Sequence, residues 1–223
     1  MEKILITGHK NPDTDSICSS IVMEKIAKKF GADAEAVRLG NLNKETEYVF
    51  KYLNKEPQRM IDKVEDGQKL ILVDHNEAGQ SVDNRENAEI LAVIDHHRIS
   101  DFKTATPLYY YAKPVGCTAT ILYEIMTEKN IEICKEDAIL LISAISSDTL
   151  LLKSPTCTDE DVKAFNELEK IAGIDAKSYA LDMLKAGTDI SDLSAGEIVE
   201  LDAKLLEESG KRIIIDQVNT AEI

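Results

Sequence analysis

The sequence predicts an α/β fold, a mostly parallel sheet flanked by helices, and three observations predict it. Two apolar runs, Lys-Leu-Ile-Leu-Val at 69–73 and Ile-Leu-Ala-Val-Ile at 90–94, are unbroken and each is followed directly by an aspartate, Asp74 and Asp95. Continuous rather than alternating hydrophobicity belongs to strands covered on both faces, as in parallel sheets. Along the first half of the chain, such runs also alternate with segments of helical period, the pattern of strand–helix units.

The elements follow in order. Residues 3–8, Lys-Ile-Leu-Ile-Thr-Gly, read as a short buried strand, and Ile17, Ile21, Val22, Ile26 and Phe30 recur at helical spacing over 15–30. Residues 34–39 supply a second strand and 44–53 a second helix; Pro57 and the polar stretch to Gln68 form a connection. After the strands at 69–73 and 90–94 comes a tyrosine-rich strand at 108–112, then helices over 117–129, 135–147, 159–172 and 176–185. Ala-Gly-Thr-Asp at 186–189 marks a boundary, so residues 1–187 are expected to form one domain and 188–223 a linker with the beginning of another. In that tail a helix over 194–208 and a strand over 212–215 are expected, too little to bury their apolar faces alone.

The 223 residues are 43% hydrophobic, with 41 acidic against 26 basic side chains and a net charge of −15. No run of about 18 apolar residues is available to span a bilayer, and the N-terminus lacks a signal-peptide core, so a cytoplasmic protein with no membrane partner is expected. The negative charge repels phosphate backbones, which argues against nucleic acid as a partner. Any anionic substrate needs local positive charge. Cys18, Cys117, Cys134 and Cys157 are widely separated, form no CxxC pair and suit a reducing compartment.

Chemistry concentrates at strand ends. The four histidines, His9, His75, His96 and His97, each lie within a few positions of an aspartate just after an apolar strand. In an open α/β sheet, loops at the carboxyl ends of strands converge on one crevice, so these residues can meet although distant in sequence. The first loop carries His9, Asp13 and Asp15, the next strand ends bring Asp74 and His96, and Asp148 follows Ile-Ser-Ala-Ile-Ser-Ser. Asp-x-Asp before a helix is commonly an N-cap, and Asp74 or Asp148 alone is an ordinary turn or helix-end residue. Together they crowd carboxylates that would repel one another unless protonated or neutralised by cations. Oxygen-rich ligation with imidazole and no thiolate suits Mn²⁺ or Mg²⁺, with Co²⁺ also accepted, and the set suffices for two ions if one aspartate bridges. His75 is read as an orienting or packed ring outside the ligand set.

These segments resemble the DHH phosphoesterase superfamily, and within it the manganese-dependent family II inorganic pyrophosphatases. The resemblance rests on Gly-His-Lys-Asn-Pro-Asp-Thr-Asp-Ser-Ile-Cys at 8–18, Val-Asp-His-Asn-Glu at 73–77 and Val-Ile-Asp-His-His-Arg at 93–98. Pro-Val-Gly-Cys-Thr-Ala-Thr at 114–120 and Ser-Asp-Thr-Leu-Leu-Leu-Lys-Ser-Pro-Thr at 147–156 extend it over essentially the whole chain. It implies a DHH catalytic domain, here followed by the start of a DHHA2 substrate-binding domain. It also implies hydrolysis of pyrophosphate to two phosphates by a water that two metal ions activate. By motif match His9, Asp13 and Asp74 would hold one ion, and Asp15, Asp74, His96 and Asp148 the other. His97 would bind phosphate and protonate the leaving group, Asp95 would support the histidines, and Lys204 would reach the substrate. The resemblance further implies a homodimer through the N-terminal domain. The family's Ser-Arg-Lys-Lys motif does not occur in the sequence, which leaves turnover by this chain to be tested. Two other readings are a DHH phosphodiesterase acting on short oligonucleotides or cyclic dinucleotides, and a metal-binding dimerisation module with little turnover.

Overall fold

The computed structural model describes residues 3–189, 194, 196, 204–208 and 211–215. The elements run β1 (Ile4–Lys10), α1 (Thr14–Lys29), β2 (Ala34–Leu39), α2 (Lys44–Leu53), β3 (Arg59–Met60), β4 (Lys69–Val73), β5 (Glu89–Asp95) and β6 (Tyr109–Ala112). Four helices follow, α3 (Thr118–Glu128), α4 (Lys135–Asp148), α5 (Asp159–Ala172) and α6 (Ala176–Gly187), and then the strands β7 (Lys204–Glu208) and β8 (Lys211–Ile215).

The sheet has the order β3-β2-β1-β4-β5-β6, and every neighbouring pair is parallel. The chain builds outward from β1 to β3 and then returns to lay β4 on the other side of β1. The order therefore reverses between β1 and β4, and in open α/β sheets that reversal opens a crevice at the strands' carboxyl ends. Both faces are buried, as the unbroken apolar runs require. Ile6, Ile71, Val73, Ala92 and Ile94 pack with the helices in the larger core, while Leu5, Val37, Leu70, Leu72, Ile90 and Val93 pack under Val64 and Val82 from the connections. Helix α4 is buried from Asp137 through Ser146, so its sequence is apolar nearly all round rather than striped.

Local chemistry explains most boundaries. Asp13, Asn43, Thr158 and Asp175 cap α1, α2, α5 and α6 by accepting backbone N–H groups of Ser16, Thr46, Asp161 and Ser178. Gly173 ends α5 at φ 61°, a left-handed position that glycine takes without a Cβ penalty. The two-residue strand β3 lies within the expected connection 57–68, too short to leave a periodic signal. In the tail the structure departs from expectation. Residues 204–208 form a strand, not the end of a helix, and pair antiparallel with β8, Lys204 opposite Ile215 and Glu208 opposite Lys211. Lys-Leu-Leu-Glu-Glu has good helix propensity, yet only two residues, Ser209 and Gly210, separate it from β8, which carries the β-branched run Ile213, Ile214 and Ile215. Cross-strand pairing with that run overrides the local preference. The rest of the helix expected over 194–208 falls largely outside the described residues.

Candidate metal centre

The first loop of the crevice is built around Gly8. A Cβ there would lie 1.8 Å from Ser16 Oγ, and that hydroxyl accepts the backbone N–H of His9 at 3.0 Å. The chain turns through Asn11 at φ 52° and enters α1 at its cap, Asp13. Capping and clustering are compatible here. Asp13 Oδ1 accepts Ser16 N–H at 2.9 Å, while Oδ2 stands 3.3 Å from His9 Nε2. In the first turn of α1, Asp15 is fully buried; Ser19 donates to Oδ1 at 2.5 Å and the backbone N–H of Thr118 to Oδ2 at 2.7 Å.

Asp74 follows β4 with φ 62°, a left-handed conformation that aspartate tolerates better than most side chains, and its N–H is tied to the Ile94 carbonyl at 2.9 Å. This turn aims the carboxylate between two histidines. Oδ2 is 3.5 Å from His9 Nε2, and Oδ1 is 3.4 Å from His96 Nε2 and accepts the Thr118 hydroxyl at 3.0 Å. Asp148, the last residue of α4, puts Oδ2 3.7 Å from His96 Nε2. Three consecutive leucines, Leu150, Leu151 and Leu152, then turn left-handed at φ 48°, 53° and 64°. Bulky side chains rarely adopt this backbone, so strain is stored beside Asp148.

The tautomers of two histidines follow from their partners. His9 Nδ1 faces the Lys10 carbonyl at 2.8 Å and His96 Nδ1 faces the Val115 carbonyl at 3.0 Å. A carbonyl only accepts, so Nδ1 carries the proton in both rings and both Nε2 atoms turn toward carboxylates. Backbone carbonyls orient metal-binding imidazoles in this way. Three sets of side chains, His9 with Asp13 and Asp74, Asp15 with Asp74, His96 and Asp148, and Asp74 with His96 and His97, offer ligand atoms that all lie within 4.8 Å of one another. Asp74 is common to all three.

The electrostatics of the cation-free cluster expose the conflict. Burial opposes charge on His9, but Asp13 and Asp74 outweigh it and push its pKa up to about 11. His96 is likewise disfavoured by burial yet raised to about 9, chiefly by Asp74 and Asp15. Burial and the neighbouring Asp74 push Asp15 up to about 7, and burial with Asp15, Asp13 and Asp74 raises Asp148 far above the carboxylate range. Burial also works against a charge on Asp74, but His9 and His96 hold it well below that range. The side chains by themselves would have to take up protons to balance these carboxylates. Hard oxygen donors with two oriented imidazoles are the donor set of a divalent cation, and the residues present fit that group.

His97 stands beside this cluster with about half of its side chain exposed. Asp95 Oδ1 accepts both its backbone N–H at 3.0 Å and its Nδ1 at 2.9 Å, an interaction that raises the imidazole pKa. His75 is buried, with Nδ1 on the Val73 carbonyl at 2.9 Å and Nε2 on Ser81 Oγ at 3.0 Å, and belongs to none of the three sets. Lys204 lies on β7, and its side chain lies outside the described residues. Thr118, Ser19 and Asp161 are contributors that sequence reasoning did not single out. Asp161, fully buried on α5, accepts from Gly116 N–H at 2.8 Å and Thr120 Oγ1 at 2.6 Å and so holds the segment that presents Thr118. The motif at 114–120 that contains Thr118 was visible, but a short hydroxyl residue carries no signal of what it touches.

Comparison with known proteins agrees with this geometry. Residues 3–145 match the DHH family, N-terminal domain. Over 223 aligned residues the chain is 54% identical to a probable manganese-dependent inorganic pyrophosphatase of Bacillus licheniformis, covering all of this chain and 72% of the relative. The manganese-dependent inorganic pyrophosphatase of Bacillus subtilis is 53% identical over 224 residues with the same coverage. A crystal structure from Methanococcus jannaschii, assigned to family II inorganic pyrophosphatases, superposes with a TM-score of 0.84 at 39% identity, covering 98% of this chain and 73% of that one. At that level of identity, over its whole length and with the strand order that gathers these ligands, the chain belongs to the manganese-dependent inorganic pyrophosphatases of the DHH family.

Proposed function

We propose that this chain hydrolyses inorganic pyrophosphate to two phosphates at the β1/β4 crevice and does so with two manganese ions. The observation that carries the reading is Asp74, whose two oxygens face His9 and His96 separately. His9, Asp13 and Asp74 would hold one ion, and Asp15, Asp74, His96 and Asp148 the other. Such ions acidify water and neutralise charge on a phosphoryl group in flight. The chain's own groups do the rest. Thr118 and Ser19 fix the Asp15 and Asp74 carboxylates, and the burial of these two keeps bulk water from screening them. His97, with Nδ1 given to Asp95, has Nε2 left to bind a phosphate oxygen and to pass a proton to the departing phosphate. Lys204 supplies a further cation to the substrate.

The same reading extends to organisation. Residues 1–187 form the catalytic unit, and 188–223 begin the substrate-binding one. The protein works in the cytoplasm as a homodimer assembled through the catalytic unit; in support, β6 is an edge strand whose Tyr109 is 55% exposed and stacks on Tyr111 at 6.2 Å. The experiment is phosphate release from pyrophosphate with Mn²⁺, comparing the chain with Asp74→Asn. Asparagine tolerates the left-handed backbone but loses the charge that the ligand sets share. Release that falls to background in the variant supports the reading, and equal rates overturn it. Stoichiometric manganese binding without phosphate release would identify the metal-binding module instead.

A further inference from the structure

We propose that Asn76 is a positioning residue for this reaction, acting through Asp95 to set the imidazole of His97. The inference rests on the pyrophosphatase reading for its kinetic part and on the structure alone for its geometric part. Asn76 is 1% exposed, and both its amide donors and its amide oxygen are engaged. Nδ2 donates to Asp95 Oδ2 at 2.6 Å and to the Arg98 carbonyl at 2.9 Å, and Oδ1 accepts the Ser100 N–H at 2.8 Å. One side chain thus holds both the carboxylate that grips His97 and the backbone that leaves it.

Direction matters in this relay. A carboxylate in the interior needs donors on both oxygens. Asp95 takes the two His97 donors on Oδ1, which leaves Oδ2 to Asn76. Removing the Asn76 donor frees the carboxylate to rotate, and the ring rides on it. Asn76 is itself anchored, because the guanidinium of Arg85, 8% exposed and packed over the Phe102 ring, donates to its backbone carbonyl at 2.7 Å. Asn76 makes no described contact with a carboxylate of the metal cluster, so its effect should reach His97 without passing through the metals.

The test uses Asn76→Ala, with Asn76→Leu as a second variant that keeps the branched shape but removes the donor to Asp95 without adding a charge beside it. In the full chain, either substitution should lower kcat roughly 30-fold with KM nearly unchanged, within the range seen when supporting residues around a metal site are removed. In a His97→Gln background the same substitutions should cost less than about two-fold, because residues that act through one another are not additive. Calorimetric Mn²⁺ affinity should stay within about two-fold of the parent, unlike loss of a ligand. Independently of turnover, the His97 Nδ1 proton in imidazole NMR spectra of ¹⁵N-histidine-labelled, Mg²⁺-loaded protein should shift or exchange-broaden in the variants while the His9 and His96 signals hold. An unmoved His97 signal, or full additivity with His97→Gln, overturns the proposal. Absence of phosphate release from the parent chain would instead count against the pyrophosphatase reading and leave the spectrum to decide the role of Asn76.

Discussion

His9 and Asp15 bear the same conflict from opposite sides, and this gives the residue scale its sharpest prediction. His9 is raised from 6.5 to about 11 and Asp15 from 3.8 to about 7, so in both the folded, cation-free chain holds a proton that the unfolded chain releases first. A raised folded pKa stabilises fully below the unfolded value, and the benefit is lost as pH climbs through the folded value. Asp15 therefore loses its contribution between about pH 4 and 7, and His9 between about pH 6.5 and 11, so the metal-free Tm should fall as pH rises. Manganese reverses the trend because it binds the deprotonated ligands and competes with those protons. Thermal melts at about pH 6, 7.5 and 9, with and without Mn²⁺, should show a metal-induced rise in Tm that grows with pH. A metal-free Tm that climbs over the same range would mean that the carboxylates do not face one another as described.

At the scale of elements, two junctions carry the site, and they fail in opposite directions. Asp161 joins the start of α5 to the loop before α3; besides Gly116 and Thr120 it accepts Thr158 N–H and Oγ1, both at 2.7 Å. Asp161→Ala strands several buried donors at once, at about 1–3 kcal/mol for a buried group left without its partner and more where several are affected. Urea unfolding should show at least the upper part of that range, and Mn²⁺ affinity should drop as Thr118 loosens. The left-handed turn after Asp148 behaves differently. Leu150 is 57% exposed at φ 48°, so its side chain contributes little packing while its backbone is strained. Leu150→Asn should raise stability by about 0.5–1 kcal/mol, since asparagine accepts this conformation at lower cost. A decrease in the urea midpoint for that variant would show that the exposed leucine has a packing partner. Neither junction was legible in the sequence: Asp161 reads as an ordinary capping-box residue, and three leucines in a row announce a buried helix rather than a left-handed turn.

For the whole molecule, the sheet was legible because the apolar runs at 70–73 and 90–94 satisfy two faces at once and have no polar position to blur their period. The crowding of histidine and aspartate at strand ends was legible for a related reason, since the chain order β1, β4, β5 is also the spatial order and the loops cannot avoid one another. What escaped were features decided by partners far along the chain: the short strand β3, the β7–β8 hairpin in place of a helix end, and the grip of Asn76 on Asp95. The same logic of partners applies to the edge of the sheet. A parallel sheet that ends on Tyr109–Ala112 presents one row of backbone groups without a neighbouring strand among the described residues, and such an edge is a template for pairing unless charge or proline blunts it. The edge here carries three tyrosines and an alanine, with neither device. If the proposed dimer forms across it, replacing Tyr109 and Tyr111 together by lysine should convert the dimer to a monomer in sedimentation velocity. Mn²⁺ affinity should remain within about three-fold of the parent, because both residues lie outside the ligand sets and affinity follows those ligands. A dimer that survives both lysines would place the interface elsewhere on the catalytic unit, and a parent chain that sediments as a monomer would remove the dimer altogether.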